Sequence, residues 1–236
     1  KFNTSNVTSM LEMFYNCKAL TTLNLSNFNT SYVEDMSNMF YNCSSLTELN
    51  INNFDTSNVS NMSRMFYGCY RLTKLDLTNF NTSKVTNMAL MFTGCASLTK
   101  LDLTKFDTRN LTNMQSMFSS CTKIKELDIR NFNTSKVTNM LKLFSDCTSL
   151  IEIDLTNFNT SNVIDMSNMF FNCRSMEEID VSSFDTTKVN NMSEMFANLL
   201  KINTIYVGSK WTMQNVTNST NMFKDSRISN VTLKQS

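Results

Sequence analysis

The residues most capable of chemistry in this chain are seven cysteines that recur at a fixed interval of 26 residues. Stacked equivalent positions lie about 4.8 Å apart, near the Cα separation of a disulfide. However, side chains of one column all point the same way, and a line of thiols cannot surround a metal ion tetrahedrally. We therefore predict a buried column of free thiols that behave as small hydrophobic groups. Its members are Cys17, Cys43, Cys69, Cys95, Cys121, Cys147 and Cys173.

Carboxylates and other polar residues recur in the Leu-x-x-Leu-x-Leu segment that follows each cysteine. Leu101 and Leu103 show strand alternation, so the residues between and beside them should be exposed on the concave face of a sheet. Stacked aspartates at strand spacing repel one another by about 1 kcal/mol per neighbouring pair. The basic residues Lys74, Lys100 and Arg130 offset only part of this repulsion, so the stretch from Glu126 to Asp180 should be locally acidic. The candidate partner-binding residues on this face are Lys74, Asp76, Lys100, Asp102, Glu126, Asp128, Arg130, Glu152, Asp154, Glu178, Asp180 and Tyr206.

Three interpretations of this acidic stretch are open. It could dock a basic segment of another protein, or its carboxylate oxygens could bind Ca²⁺ weakly. It could also simply keep an exposed strand soluble. A paired-carboxylate glycosidase is disfavoured, because an open sheet offers no pocket to raise the pKa of one carboxyl group.

The composition excludes most enzyme classes. The chain of 236 residues has no His, no Pro and only 3 Gly, so His-based catalysis and Gly-rich phosphate loops are ruled out. We predict no enzyme activity, no cofactor and no metal site. The net charge of +1 gives no reason to expect nucleic acid, and no apolar run reaches the roughly 20 residues of a membrane span.

The elements that position these columns repeat with the same period. A 26-residue repeat in 236 residues indicates a solenoid of about nine coils. In each coil, residues such as Val85, Met88, Phe92 and Cys95 have the one-sided spacing of a short helix, and Asn87 has the position of its N-cap. The residue before each cysteine is Gly, Asn, Asp or Ser, which suits the left-handed conformation that ends a helix.

The predicted fold is therefore an α/β solenoid with one short helix and one short parallel strand per coil. The whole chain, 1–236, is expected to form one such domain. Residues 1–198 hold the regular repeats, and residues 199–236 hold degenerate terminal coils, where Leu199 replaces the cysteine and one residue is inserted before Val216. Since the chain starts in mid-repeat at Phe2, we expect the first coil to contact further repeats or another subunit.

The repeat Leu-x-x-Leu-Asp-Leu-Thr-Asn-Phe-Asp/Asn-Thr-Ser-x-Val-Thr-Asn-Met-Ser-x-Met-Phe-x-x-Cys resembles the BspA-like leucine-rich repeat of bacterial surface proteins, which also occurs in mycoplasmas and some protists. This resemblance implies a right-handed superhelix at a cell surface, often used for adhesion to host or matrix proteins. Phe stands where leucine-rich repeats usually bury an Asn. We expect a threonine column to bond the adjacent coil instead, formed by Thr30, Thr56, Thr82, Thr108, Thr134, Thr160 and Thr186.

The leading functional hypothesis is a non-enzymatic, cell-surface or secreted module that binds a protein partner through the concave sheet. The partner would be a basic segment or a host or matrix protein. The alternatives are a structural spacer or assembly module of a larger surface protein, and an intracellular protist scaffold. Greater variation at exposed positions of the sheet than in the core favours binding over a spacer, because binding faces diversify between coils.

Overall fold

The computed structural model describes residues 3–235, so Phe2 lies outside the described residues. The chain winds as a solenoid in which each coil repeats the path of the one before it. A column of parallel bridges links nine successive coils, and we name it the asparagine ladder. Its members are Ser9, Asp35, Asn61, Asn87, Asn113, Asn139, Asp165, Asn191 and Asn218. The predicted register of like residues on like residues is thus observed, and the right-handed superhelix stays a prediction.

The short helix predicted for each coil is wrong, since no helix occurs among residues 3–235. The amides that would close helical turns instead bond to the following coil. In the coil of Cys95, four alternate amides donate to carbonyl oxygens of the next coil at 2.8 to 3.0 Å: those of Met88, Leu90, Phe92 and Gly94. The amide of Met91 lies between them and closes a tight turn to Met88 O at 3.2 Å. Each coil therefore carries a chain of turns on this side.

Asn87 is consequently a member of the ladder and not a helix cap. Its Oδ1 accepts a hydrogen bond from the amide of Ala89 at 3.0 Å, which forms a local turn. The left-handed residue predicted before each cysteine is confirmed, for example at Gly94 with a φ of 74°. A second left-handed residue, four positions earlier, was not predicted and includes Leu90 and Lys142, with φ of 57° and 56°.

The core is a set of columns that run along the solenoid axis. The Met and Phe columns are buried, and successive Phe rings from Phe14 to Phe196 stack with centroids 5.6 to 5.9 Å apart. The seven cysteines are free, and six of them are buried, which confirms the predicted thiol column except at Cys17, whose side chain is exposed. The Sγ of Cys95 donates to Phe66 O of the preceding coil at 3.2 Å.

The threonine column bonds adjacent coils as predicted. Thr82 Oγ1 donates to Asp107 O at 3.0 Å and accepts a hydrogen bond from Asp107 N at 2.8 Å. One buried hydroxyl thus satisfies both backbone groups of a residue in the next coil. The same pair of bonds joins Thr134 to Asn159, at 2.9 and 2.8 Å.

The strand predicted for each coil is present only in part. Strands β1 (Glu48–Leu49) and β2 (Lys74–Leu75) form one parallel pair. Strands β3 (Glu178–Val181), β4 (Thr204–Val207) and β5 (Thr232–Leu233) form a second parallel sheet in that order. The corresponding segments of the three coils between them, at 100–103, 126–129 and 152–155, are not paired as strands.

The charges on this face differ between the paired and the unpaired coils. In the β1–β2 pair, Glu48 lies opposite Lys74, and in the β3–β4 pair Glu178 lies opposite the neutral Thr204. In the unpaired coils, Glu126 and Glu152 occupy equivalent positions in adjacent coils. Like charges directly opposite one another destabilise strand pairing. The acidic columns therefore disfavour a continuous sheet in the middle of this face. Charge is not the whole reason, because the oppositely charged Lys100 and Glu126 occupy equivalent positions of two coils that are also unpaired.

Candidate functional site

The face that carries the predicted partner-binding residues is named the leucine face. It consists of the exposed side chains beside the buried Leu-x-Leu pair of each coil. In one such coil Leu101 and Leu103 are buried, whereas Lys100 and Asp102 between and beside them are exposed. Ten of the twelve predicted residues are exposed, and Asp180 and Tyr206 are half-buried. The alternation that placed these residues on one face is thus observed.

A groove of about 840 Å³ lies where the leucine face is not paired as strands. We name it the acidic groove. Seven of the predicted residues line it: Glu126, Asp128, Arg130, Glu152, Asp154, Glu178 and Asp180. Four residues that were not predicted also line it: Leu127, Ile151, Ile153 and Glu177. The groove therefore brings seven carboxylates and one guanidinium together.

The other predicted residues lie outside this groove. Lys74 and Asp76 line a smaller groove of about 240 Å³ on the same face. Lys100 and Asp102 belong to the coil between the two grooves and line neither. Tyr206 lies beyond the acidic groove on β4. The structure thus brings seven of the twelve predicted residues together in the acidic groove and two in the smaller groove, and the other three line neither.

Aspartates of the leucine face are engaged in local turns. Asp102 Oδ1 accepts hydrogen bonds from the amide and the hydroxyl of Thr104, at 3.0 and 2.6 Å. The Thr104 hydroxyl and then its amide lower the pKa of Asp102, because both donors favour the charged carboxylate. In the acidic groove, hydrogen bonds from the Arg130 side chain and amide lower the pKa of Asp128 to about 2. These aspartates therefore stay ionised at neutral pH.

The charge of the acidic groove is only partly compensated. Arg130 pairs with Asp128 at 2.9 Å, and Lys234 pairs with Asp180. The remaining five of the seven groove carboxylates have no ion-pair partner among residues 3–235. They are Glu126, Glu152, Asp154, Glu177 and Glu178. An uncompensated cluster on a neutral chain attracts cationic groups.

Lys234 contacts Asp180, which lines the acidic groove, and no pattern in the sequence predicts this contact. The parallel register of β4 and β5 places Tyr206 opposite Thr232. Lys234, just after β5, reaches Asp180 and holds its Nζ 5.9 Å from the centroid of the Tyr206 ring. The contact joins residues 54 positions apart, so local spacing could not predict it.

Ile151 is the exposed apolar side chain of the acidic groove. Its side chain is 51% exposed, although it is large and hydrophobic. Its column otherwise holds polar residues, including Thr99, Lys125 and Glu177. That departure was visible in the sequence and could have identified Ile151 as a candidate. An apolar group flanked by charges can serve as an anchor for a partner.

Among residues 3–235, no group of three or more Cys, Asp or Glu side chains is placed to hold a metal ion. The carboxylates of the acidic groove line an open surface, and the thiols form a single column. No helix among the same residues is long and apolar enough to cross a membrane.

Comparison with protein families gives a match along nearly the whole chain. The family model described as "Mycoplasma protein of unknown function, DUF285" matches residues 1–75, 47–127, 70–155 and 112–235. The overlapping blocks are consistent with the 26-residue repeat. A search of curated proteins gave no significant match.

Three solved structures similar to this chain are of bacterial leucine-rich or leucine-rich repeat proteins. The protein from Bacteroides ovatus is 19% identical, with a TM-score of 0.45, and covers 91% of this chain and 64% of its own. The protein from Eubacterium ventriosum is 16% identical, with a TM-score of 0.49, and covers 86% and 59%. A "leucine rich cell surface protein" from Faecalibacterium prausnitzii is 18% identical, with a TM-score of 0.29, and covers 81% and 74%. This chain thus spans about three fifths of the length of the first two.

Proposed function

The chain belongs to the DUF285 family of Mycoplasma proteins of unknown function, and from this premise we propose that it is a non-enzymatic module that binds a protein partner. The acidic groove is the binding site, and its occupant is a basic segment of the partner. The observation that carries the proposal is the set of five unpaired carboxylates around Ile151 on an otherwise neutral chain.

The groove suits a Lys- or Arg-rich segment that also carries one apolar residue. Glu126, Glu152 and Glu178 occupy the same position of three successive coils, about 4.8 Å apart per coil. Cations of the partner would relieve the repulsion along this column, while an apolar side chain would pack on Ile151. Surface charges of this kind mainly accelerate association and set specificity, so binding should weaken strongly as salt is added.

The cell surface is the location that we assign to this module as part of the same proposal. The support is the resemblance of the repeat to surface proteins with BspA-like repeats. Adhesion to a host or matrix protein is the corresponding biological role, and the right-handed superhelix is the corresponding geometry. A surface location would present the acidic groove directly to an extracellular partner.

The proposal is tested by reversing the glutamate column. A Lys/Arg-rich peptide with one central Leu is titrated into the wild-type chain and into Glu126→Lys/Glu152→Lys/Glu178→Lys, and binding is measured by calorimetry at low salt. The control, Glu12→Lys/Glu34→Lys/Asp225→Lys, makes the same change of charge outside the acidic groove. We expect binding to be lost in the groove variant and kept in the control. Equal weakening in both variants would show that only net charge matters and would refute the site.

A structural spacer is the second candidate, and the uniformity of the asparagine ladder favours it. Nine coils joined by the same backbone bonds form a rod whose length is set by coil number. If the acidic groove binds no basic partner, then deletion of one 26-residue coil should still shorten the rod by about 4.8 Å. Small-angle X-ray scattering measures this change.

A further inference from the structure

A second charged surface lies apart from the acidic groove, on the turn that precedes the asparagine ladder in each coil, for example between Phe80 and Asn87. In one column of equivalent positions there, Asn alternates with a larger side chain, which is Tyr in one coil and Lys in three others. Every second coil places Asn at this position, as at Asn58, Asn110, Asn162 and Asn215. The coils between them place Tyr32, Lys84, Lys136 and Lys188, all of which are exposed. We name the three lysines the lysine row.

The contacts within this column repeat along the solenoid. Asn58 Nδ2 donates to Ser31 O of the preceding coil at 2.8 Å, and Lys84 Nζ donates to Asn58 Oδ1 at 2.7 Å. The same ammonium-to-amide bond is made by Lys136 and by Lys188, at 2.8 and 2.7 Å. Each lysine head is therefore held in the same orientation by the coil before it.

The fold does not require the positive charges of the lysine row. Four Asn side chains of the column, those of Asn58, Asn110, Asn162 and Asn215, each bond the backbone of a neighbouring coil without help from a lysine. No member of the lysine row forms an ion pair in the part of the chain that the structure describes. An ammonium group has three donors, and the bond to Asn uses one of them. Two donors on each lysine thus remain available to an anion.

The spacing of the lysine row indicates the chemistry of its ligand. Lysines in every second coil are separated by two coil spacings, roughly 10 Å. Nucleic acid is a poorer match, because one strand carries a phosphate about every 3.4 Å along the helix axis, so only about one phosphate in three would meet a lysine. A linear acidic polysaccharide with one anionic group per disaccharide repeats its charge at a distance comparable to two coils. Tyr32, which is 62% exposed, continues the column and offers an aromatic ring to a sugar.

We propose that the lysine row binds a linear acidic polysaccharide along the solenoid axis, one disaccharide for every two coils. The amide-bound lysines supply the cations in register, and Tyr32 contacts the polymer beyond them. This site is separate from the acidic groove, and neither depends on the other.

The probe for this site is a set of hyaluronan oligosaccharides of increasing length, because hyaluronan carries one carboxylate per disaccharide. Binding to the wild-type chain at low salt should strengthen with length until the oligosaccharide spans the lysine row. Lys84→Asn/Lys136→Asn/Lys188→Asn gives every coil the Asn of its neighbours, so it should fold and should bind about tenfold more weakly. The control Lys18→Asn/Lys123→Asn/Lys201→Asn removes equal charge elsewhere and should bind like the wild type.

A register variant separates spacing from charge. Asn110→Lys/Lys136→Asn keeps the composition and the net charge but moves the middle lysine by one coil. We expect this variant to bind several-fold more weakly than the wild type. Equal binding by the register variant would overturn the proposal, since it would show attraction without a match of spacing. Absence of binding by the wild-type chain at low salt would also overturn it.

Discussion

Replacement of Thr134 by Val tests whether the threonine column holds the coils together. The Thr134 hydroxyl is buried and serves both the carbonyl and the amide of Asn159, at 2.9 and 2.8 Å. Val has nearly the same shape but no hydroxyl, so both backbone groups lose their partner. Each unsatisfied group costs about 1–3 kcal/mol. Since this seam is only part-buried, we expect a loss near the low end, about 2–3 kcal/mol in total.

Thr134→Ser is the matched control. It keeps the hydroxyl and loses one methyl group, which costs about 1 kcal/mol. Urea unfolding compares the two variants, and amide hydrogen exchange at Asn159 locates the effect, because repeat arrays can open locally. We expect Thr134→Val to be the less stable variant and to exchange faster at Asn159. A Val variant as stable as the Ser variant would refute the role assigned to the hydroxyl.

Three further predictions concern charge, thiols and backbone strain. The pKa values of leucine-face aspartates are lowered by neighbouring donors, so their contribution to stability is complete above the unfolded pKa of about 3.9 and is lost as pH falls toward 2. In the triple variant Asp102→Asn/Asp128→Asn/Asp154→Asn, the melting temperature should fall less between pH 5 and pH 2 than in the wild type. Asn keeps the local turn, because Asn24 already accepts the same hydrogen bond. In native protein, a disulfide reagent that reports free thiols should modify Cys17 alone quickly, because the six other cysteines are buried; rapid reaction of several would contradict the buried column. Lys142→Gly should stabilise the chain by about 0.5–1 kcal/mol in urea unfolding, because Lys142 has a positive φ, which glycine adopts without strain, whereas Lys142→Ala should give no gain.

Features that depend only on which residue type occupies one position of the repeat were predictable from the sequence. The 26-residue period fixes which residues stack, so the buried thiols, the threonine bonds and the exposed leucine-face columns followed from it. The left-handed residue before each cysteine followed from the presence of Gly, Asn and Asp there. The second left-handed position did not, because Leu90 and Lys142 carry no such preference.

The helix prediction failed for a physical reason. Val85, Met88, Met91 and Phe92 have helical spacing, but spacing reports only which side chains point inward. It does not report whether the amides bond within the coil or to the next one. Here Met88 N donates to Asn113 O of the next coil, and a chain of turns buries the same side chains. In a solenoid, the carbonyl oxygens of the next coil are alternative acceptors for the amides that would otherwise bond within their own coil.

The candidate site was only partly predictable. Alternation placed Glu126, Glu152 and Glu178 on one face, and their shared charge predicted an acidic stretch. The groove itself lies where successive coils are not paired as strands, and the contact of Lys234 with Asp180 depends on the register of β5. Neither feature follows from the spacing of residues within one repeat.

Docking of a basic partner in the acidic groove of the leucine face is what we propose for this chain. Hydrogen exchange of the wild-type chain, with and without the Lys/Arg-rich peptide, tests it most directly. We expect slower exchange confined to residues 125–130, 151–156 and 177–182, and no change along the asparagine ladder. Protection along the ladder, or a bound peptide that leaves the groove residues unprotected, would contradict it.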